Sequence, residues 1–343
     1  MPDKIGEHID RLITIELKNR GMPHDFLVEL YEVARKQGGG RPLSIRAAEG
    51  LIKSVGKGDV VFLMTGAGYP PVMPKGESDG PPGVAALARV LYMGLGATPV
   101  YVCEEAHADP IVASSEAAHI MVKDFADAKE KHLGAAITTA PTDQAGVPAW
   151  ATSIFDEYQP KAIVVSERLG PNEYGIITSA TGWAKTEDSG IVDLTPVMDE
   201  AHKRGVFSIG IGDHGNEMGF GTIHEDVKRI MPHGAKGQGD TPGGSATVVK
   251  TDVIIPAMMS NWGCYAVEAA LAFLLQKPEV MHDPEMEGRV ITKCLEAGGL
   301  EAMMCSTAFS VDNCDGESSQ AVVQLLGNMV RLGCQAPDVG VAH

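Results

Sequence analysis

Six short apolar runs, separated by longer helical segments, constrain the fold of this chain more than any other feature. Each run has apolar and often β-branched residues on consecutive positions, which suits a strand buried on both faces of a parallel sheet. The runs are 59–65, 98–103, 134–140, 161–167, 206–212 and 252–259. Because the intervening segments can hold crossover helices, the sequence predicts a doubly wound α/β fold: a mostly parallel sheet with helices on both faces.

The first 55 residues show a different pattern, with apolar residues repeated at helical spacing. Helices are expected over 5–17 and 26–34, and a third is expected to open at Pro42, after three glycines. We therefore predict an N-terminal helical extension over residues 1–55 and one α/β domain over residues 56–343. The extension should pack on the main body or on a second subunit, and we expect a homo-oligomer.

The charge balance bears on possible partners. The chain has 28 basic and 45 acidic residues, a net charge of −17. Such a surface repels phosphate backbones and anionic lipid, so neither a nucleic acid nor a membrane is expected as a partner. Six cysteines are spread without a CxxC pair, which is typical of reduced thiols, so we expect a cytoplasmic location.

The segment GIGDHG (210–215) has the glycine spacing of a dinucleotide-binding loop. However, Asp213 would place a negative charge where the phosphates should lie, so a hard cation suits this loop better. Asp213, Asn216 and Glu217 are expected within one turn, and oxygen ligands of this kind favour magnesium or manganese. The alternative is that Asp213 or Asn216 caps the following helix and Glu217 complements its dipole.

A second cluster, GESDGPPG (76–83), places Glu77 and Asp79 just before a helix predicted to begin at the two prolines. These acids could be cation ligands, or they could form an ordinary helix cap. The glycine-rich loop upstream offers the backbone amides of Gly66 and Gly68, which could hold a substrate carboxylate.

The segment SERLG (166–170) ends another predicted strand, and Tyr174 follows it as a candidate substrate contact. Glu167 could act as a base or a metal ligand, and Arg168 could grip a carboxylate at two points. The alternative is an internal ion pair between Glu167 and Arg168.

The segment SNWG (260–263) opens a helix after the last apolar run. Ser260 or Asn261 is a natural N-cap, and Asn261 is also a candidate substrate contact.

Four stretches together make the sequence resemble the D-glutamate cyclase family, in particular the C-terminal module of its two-domain members. They occur in the same order and are 76–83, 166–170, 210–221 and 260–266. An additional stretch, 178–190, follows the SERLG loop, and substrate contacts there would change the acid that is used.

The resemblance implies cyclisation of D-glutamate to 5-oxo-D-proline with loss of water. Glu167 and Asp213 are then the candidate catalytic carboxylates, and a divalent cation, manganese or magnesium, would activate the carboxylate that is attacked. The expected cation ligands are Glu77, Asp79, Asp213 and Glu217. The expected substrate contacts are Gly66, Gly68, Arg168, Asn216, Tyr174 and Asn261.

Two other functions stay open. One is a metal-dependent hydrolase or hydro-lyase acting on another small carboxylic acid in the same crevice. The other is a non-enzymatic module that binds an acidic metabolite, or that supports a partner carrying the additional N-terminal domain of two-domain members.

Overall fold

The central feature of the protein is a six-stranded parallel sheet. A computed structural model describes residues 2–17, 21–185 and 191–336. The strands are β1 (Val60–Met64), β2 (Thr98–Glu104), β3 (Ala136–Ala140), β4 (Ala162–Ser166), β5 (Phe207–Gly212) and β6 (Val253–Pro256). They pair in the order β3-β2-β1-β4-β5-β6. All six apolar runs form strands, and the predicted doubly wound α/β fold is confirmed.

Helices cover both faces of this sheet. In the described part of the chain they are α1 (Pro2–Ile13), α2 (Phe26–Gln37), α3 (Leu43–Ser54), α4 (Pro81–Val90), α5 (Ala108–Ala117), α6 (Phe125–Glu130), α7 (Val147–Tyr158), α8 (Thr195–Arg204), α9 (His224–Ile230), α10 (Ser260–Leu274), α11 (Pro284–Glu296) and α12 (Gly316–Gly333). None of these described helices has both the length and the apolar character that a membrane crossing needs.

Strand β1 shows how the two layers of the core form. Val61 and Leu63 belong to an apolar cluster that includes residues of α3, α4 and α10. Val60, Phe62 and Met64 belong to a second cluster that includes residues of α7 and α8. Successive side chains of a strand point to opposite faces, so a run of consecutive apolar residues fills both layers at once.

The helices predicted near the N-terminus are present and share the larger of these clusters. Helices α1 and α3 both contact α10. Asp10 of α1 accepts hydrogen bonds from the backbone amides of Leu43, at 2.6 Å, and Ser44, at 3.2 Å, which satisfies two donors of the first turn of α3. The N-terminal helices therefore pack on the main body. The domain boundary after residue 55 stays a prediction.

The strand order contains a reversal that determines where a ligand can enter. From β1 the chain runs outward through β2 to β3, and then returns to place β4 on the other side of β1. In open parallel sheets the crevice beyond the carboxyl ends of the strands at such a reversal is the usual ligand site. The loops after β1, β4 and β5 all lie at this end.

Candidate active site

Glu167 is the first residue after β4 and lies in the crevice. Its backbone has a φ of 46°, in the left-handed region that few residues other than glycine adopt. Its Oε2 atom accepts a hydrogen bond of 2.6 Å from the Ser260 hydroxyl. Burial raises the pKa of the Glu167 carboxyl well above its usual range, and the nearby Asp213 and Glu77 carboxyls raise it further. Glu167 therefore binds a proton at a higher pH than an ordinary glutamate does.

Asp79 fixes the loop before α4 to the start of α10. Its Oδ2 accepts a hydrogen bond from the Ser260 amide at 2.7 Å, and its Oδ1 accepts one from the Asn261 amide at 2.8 Å. Asn261 in turn accepts hydrogen bonds from the amides of Gly80, at 2.9 Å, and Gly83, at 2.7 Å. The predicted cap is therefore wrong: α10 begins at Ser260, and Asp79, distant in sequence, satisfies its first amides.

The loop after β5 carries three of the predicted polar residues. Glu217 accepts hydrogen bonds from the amides of His214, at 3.1 Å, and Gly215, at 2.8 Å. The Nδ1 atom of His214 contacts an oxygen of Asp213. Asn216 donates to the carbonyl of Thr178 at 3.0 Å. The helix expected here begins only at residue 224, so this is an irregular loop rather than a helical turn.

Asp312 is the carboxylate that sequence reasoning missed. It lies in the two-residue loop between the short strands β7 (Ser310–Val311) and β8 (Cys314–Asp315). Both loop residues, Asp312 and Asn313, have positive φ, 48° and 62°, as in the tight turns of β-hairpins. Buried Glu301 accepts a hydrogen bond of 2.7 Å from the Asn313 amide and so holds this turn. The Asp-Asn pair was the available signal, because such turns favour these residues.

Carboxylates from three segments meet here. One oxygen each of Asp79, Asp213 and Asp312 can be chosen so that all three lie within 4.8 Å of one another. One ligand atom each of Asp213, His214 and Glu217 can likewise be chosen so that all three lie within 4.8 Å of one another. Asp213 belongs to both groups and is therefore the centre of the cluster.

Hard oxygen ligands in this arrangement fit a divalent cation. The Oδ1 atom of Asn216 is buried, and no hydrogen-bond donor reaches it within the described residues. Burial and the neighbouring carboxyls also raise the pKa values of Glu77 and Glu217 well above their usual range. A cation would relieve this repulsion and would satisfy an oxygen that otherwise lacks a partner.

A cavity of about 190 Å³ opens above this cluster. Of the predicted site residues, those on its wall are Gly68, Glu77, Glu167, Asp213, Asn216 and Glu217. The other described residues on the wall include Tyr69, Lys185, His214, Met303 and Asp312. Residues 186–190 of the additional stretch, where substrate contacts would change the acid that is used, lie outside the described residues.

Four of the predicted substrate contacts are not on the described wall of this cavity: Gly66, Arg168, Tyr174 and Asn261. Arg168 is buried, and its guanidinium pairs with Glu104 rather than with Glu167 or with the cavity. Tyr174 is 63% exposed and is not on the described cavity wall. Gly66 uses its carbonyl to accept a hydrogen bond of 2.9 Å from Arg168.

Comparison with known proteins places this chain in a family. The family model described as "D-glutamate cyclase-like, C-terminal" matches residues 9–327. This chain belongs to that family. The resemblance found in the four sequence stretches is thereby confirmed.

A curated relative extends the comparison. The mitochondrial D-glutamate cyclase of Homo sapiens is 31% identical over 211 residues, which are 59% of this chain and 30% of the relative. The chain therefore spans less than a third of the length of that relative. Because the relative is described as mitochondrial, the cytoplasmic location expected from the sequence stays a prediction.

Proposed function

We propose that this chain is a lyase that cyclises D-glutamate to 5-oxo-D-proline and water, with the help of a manganese or magnesium ion. The strongest support is the convergence of Asp79, Asp213 and Asp312 at the strand-order reversal, in a chain of the D-glutamate cyclase-like family. Asp79, Asp213 and Asp312 would hold the cation, and Asn216 Oδ1 would complete the set of oxygen ligands.

The reaction needs little beyond positioning and proton transfer. The substrate nitrogen forms a bond to the side-chain carboxyl carbon, one C–O bond of that carboxyl breaks, and the oxygen leaves as water with two protons from nitrogen. When bound, the cation would withdraw charge from this carboxylate and make it a better electrophile. Because ring closure is intramolecular, the protein gains most by holding the folded conformer.

Glu167 is the best placed base. The pKa of its carboxyl is raised toward neutral pH. A group with such a pKa can accept a proton from the substrate ammonium and return it to the leaving oxygen. The Ser260 hydroxyl donates to Oε2 and so fixes the orientation of the carboxylate. Asp213 would then be a ligand of the cation. Gly68 lines the cavity, where its backbone can approach the substrate.

The direct test is an assay of the purified chain with D-glutamate, L-glutamate and glutarate, with and without manganese or magnesium. We expect 5-oxoproline from D-glutamate only, and only when the cation is present. The Asp213→Asn variant should lose turnover, whereas Asp199→Asn, an exposed acid on α8, should retain it.

Two results would count against the proposal. Turnover of a different carboxylic acid without any 5-oxoproline would favour the hydrolase or hydro-lyase alternative. Tight binding of D-glutamate without turnover under any metal condition would favour a binding module.

A further inference from the structure

Lys185 reaches the cavity from a short hairpin, residues 177–185. The Lys185 amide donates to the carbonyl of Ile177 at 2.8 Å, and Thr178 pairs with Ala184 across the hairpin. The Thr178 carbonyl also accepts the hydrogen bond from Asn216. The backbone of Lys185 is therefore tied to the loop that carries the candidate cation ligands.

The side chain of Lys185 crosses to the loop after β1. Its Nζ lies 3.2 Å from the centre of the Tyr69 ring, a cation–π contact. Among the described residues on the cavity wall, Lys185 is the only lysine or arginine. The side chain is partly buried. Burial lowers the pKa of Lys185, and the Glu77 carboxyl opposes that shift.

A substrate with two carboxylates meets an electrostatic problem in this cavity, since its wall already carries the carboxyls of Glu77, Glu167, Asp213, Glu217 and Asp312. A cation held by the Asp213 cluster would act on the carboxylate that the amine attacks, which leaves the other substrate carboxylate to a protein group. Arg168 cannot serve the other, because its guanidinium is committed to Glu104. Of the lysines and arginines on the described part of the wall, Lys185 is the one left for it.

We propose that Lys185, held against Tyr69, binds the second carboxylate of the substrate and makes the cavity selective for small dicarboxylates. For D-glutamate this is the α-carboxylate, because the side-chain carboxylate is the one that the amine attacks. The inference rests on the proposed function for that assignment. The preference for two carboxylates over one does not depend on turnover.

The kinetic test compares Lys185→Gln and Lys185→Arg with wild type, at saturating manganese and D-glutamate as substrate. The α-carboxylate does not react, so losing its contact removes binding that is equal in the ground and transition states. We expect KM to rise about tenfold or more in Lys185→Gln, with kcat changed much less, and Lys185→Arg to recover part of the loss. Lys123→Gln, an exposed lysine away from the cavity, should match wild type.

A binding test separates this inference from the proposed reaction. Calorimetry on the manganese-loaded protein would compare glutarate, which has two carboxylates and no amine, with butyrate, which has one carboxylate and no amine. Wild type should prefer glutarate, and Lys185→Gln should lose that preference. If wild type gives no 5-oxoproline yet shows a Lys185-dependent preference for glutarate, the reaction is refuted and the inference stands. Unchanged KM or an unchanged preference in Lys185→Gln, or no binding of either probe by wild type, overturns the inference.

Discussion

Arg168 and Glu104 form a two-point ion pair in the interior, in which Arg168 Nη2 lies 2.7 Å from Glu104 Oε1 and Nη1 contacts Oε2. Glu104 is the last residue of β2, and Arg168 follows β4. Burial by itself would raise the pKa of the Glu104 carboxyl, but Arg168 and His107 outweigh it and lower the pKa to about 2. Since Arg168 also donates to the Gly66 carbonyl, the pair braces the loop after β1.

Replacing Glu104 with glutamine should therefore destabilise the protein strongly. The variant leaves a buried guanidinium without its counter-charge, which typically costs about 3–5 kcal/mol. Asp127→Asn is the matched control, because Asp127 and Lys131 form an exposed pair, whose loss should change the free energy of unfolding little. The effects of Glu104→Gln and Asp127→Asn are measured as changes in the free energy of unfolding in urea. Equal, small losses of unfolding free energy in the two variants would show that the Arg168–Glu104 pair does not brace the fold.

The strands of the sheet can be predicted from the sequence because each strand is marked by its own run of apolar residues. Each strand is buried on both faces, so a run such as 161–167 is visible without knowing its neighbours. Glu167 and Asp213 could be placed at one edge for the same reason, since they follow strands directly. The partner of Arg168 could not be predicted, because Glu104 belongs to a different strand and pairing depends on the three-dimensional arrangement.

Asp312 shows the same limit for the candidate cation site. Its hairpin lies far downstream of the loop at residues 76–80, and the Ser78 hydroxyl joins the two by donating a hydrogen bond of 3.2 Å to the Ser310 carbonyl. Nothing in the local pattern of residues 310–315 reveals that contact. The turn was recognisable, but its place beside Asp79 and Asp213 was not.

Asp312→Asn should weaken cation binding while preserving the turn. Asparagine tolerates the left-handed conformation and has nearly the same shape, so only the charge is lost. We expect manganese affinity, measured by calorimetry, to fall about tenfold or more. The thermal stability of the metal-free protein should be retained or raised, because one of the mutually repelling carboxyls is gone. Asp199→Asn should bind manganese like wild type. Wild-type affinity in Asp312→Asn would remove Asp312 from the ligand set.

Gly80→Ala should disturb Glu167 through a steric contact. Gly80 has a φ of 102°, and a Cβ there would lie 2.4 Å from Thr65 Oγ1 and 3.1 Å from Glu167 Cβ. Gly39→Ala is the control, since Gly39 also has a positive φ, of 82°, but open space around it. Both variants carry backbone strain of about 1–3 kcal/mol, and Gly80→Ala adds overpacking of about 1–3 kcal/mol. The free energy of unfolding in urea and the turnover rate should both fall further in Gly80→Ala than in Gly39→Ala. Equal effects in the two variants would contradict a steric link to Glu167.

A buried histidine between α10 and α11 makes stability depend on pH. His282 Nδ1 lies 2.7 Å from Glu268 Oε2, and Nε2 lies 3.3 Å from Glu287 Oε2, which also accepts a hydrogen bond of 2.8 Å from the Tyr265 hydroxyl. Burial alone would lower the pKa of His282, but the two carboxylates raise it to about 10. An unfolded histidine has a pKa of about 6.5.

The protonated imidazole therefore stabilises the fold fully below about pH 6.5, and this contribution is lost as the pH rises through about 10. The free energy of unfolding of wild type should fall over this range more steeply than that of His282→Gln. His8→Gln, an exposed histidine on α1, should keep the wild-type slope. Proton NMR gives a second readout, because the His282 imidazole should not titrate between about pH 6 and about pH 8. An ordinary titration there, or equal slopes for wild type and His282→Gln, would show that the two carboxylates do not raise the pKa of His282.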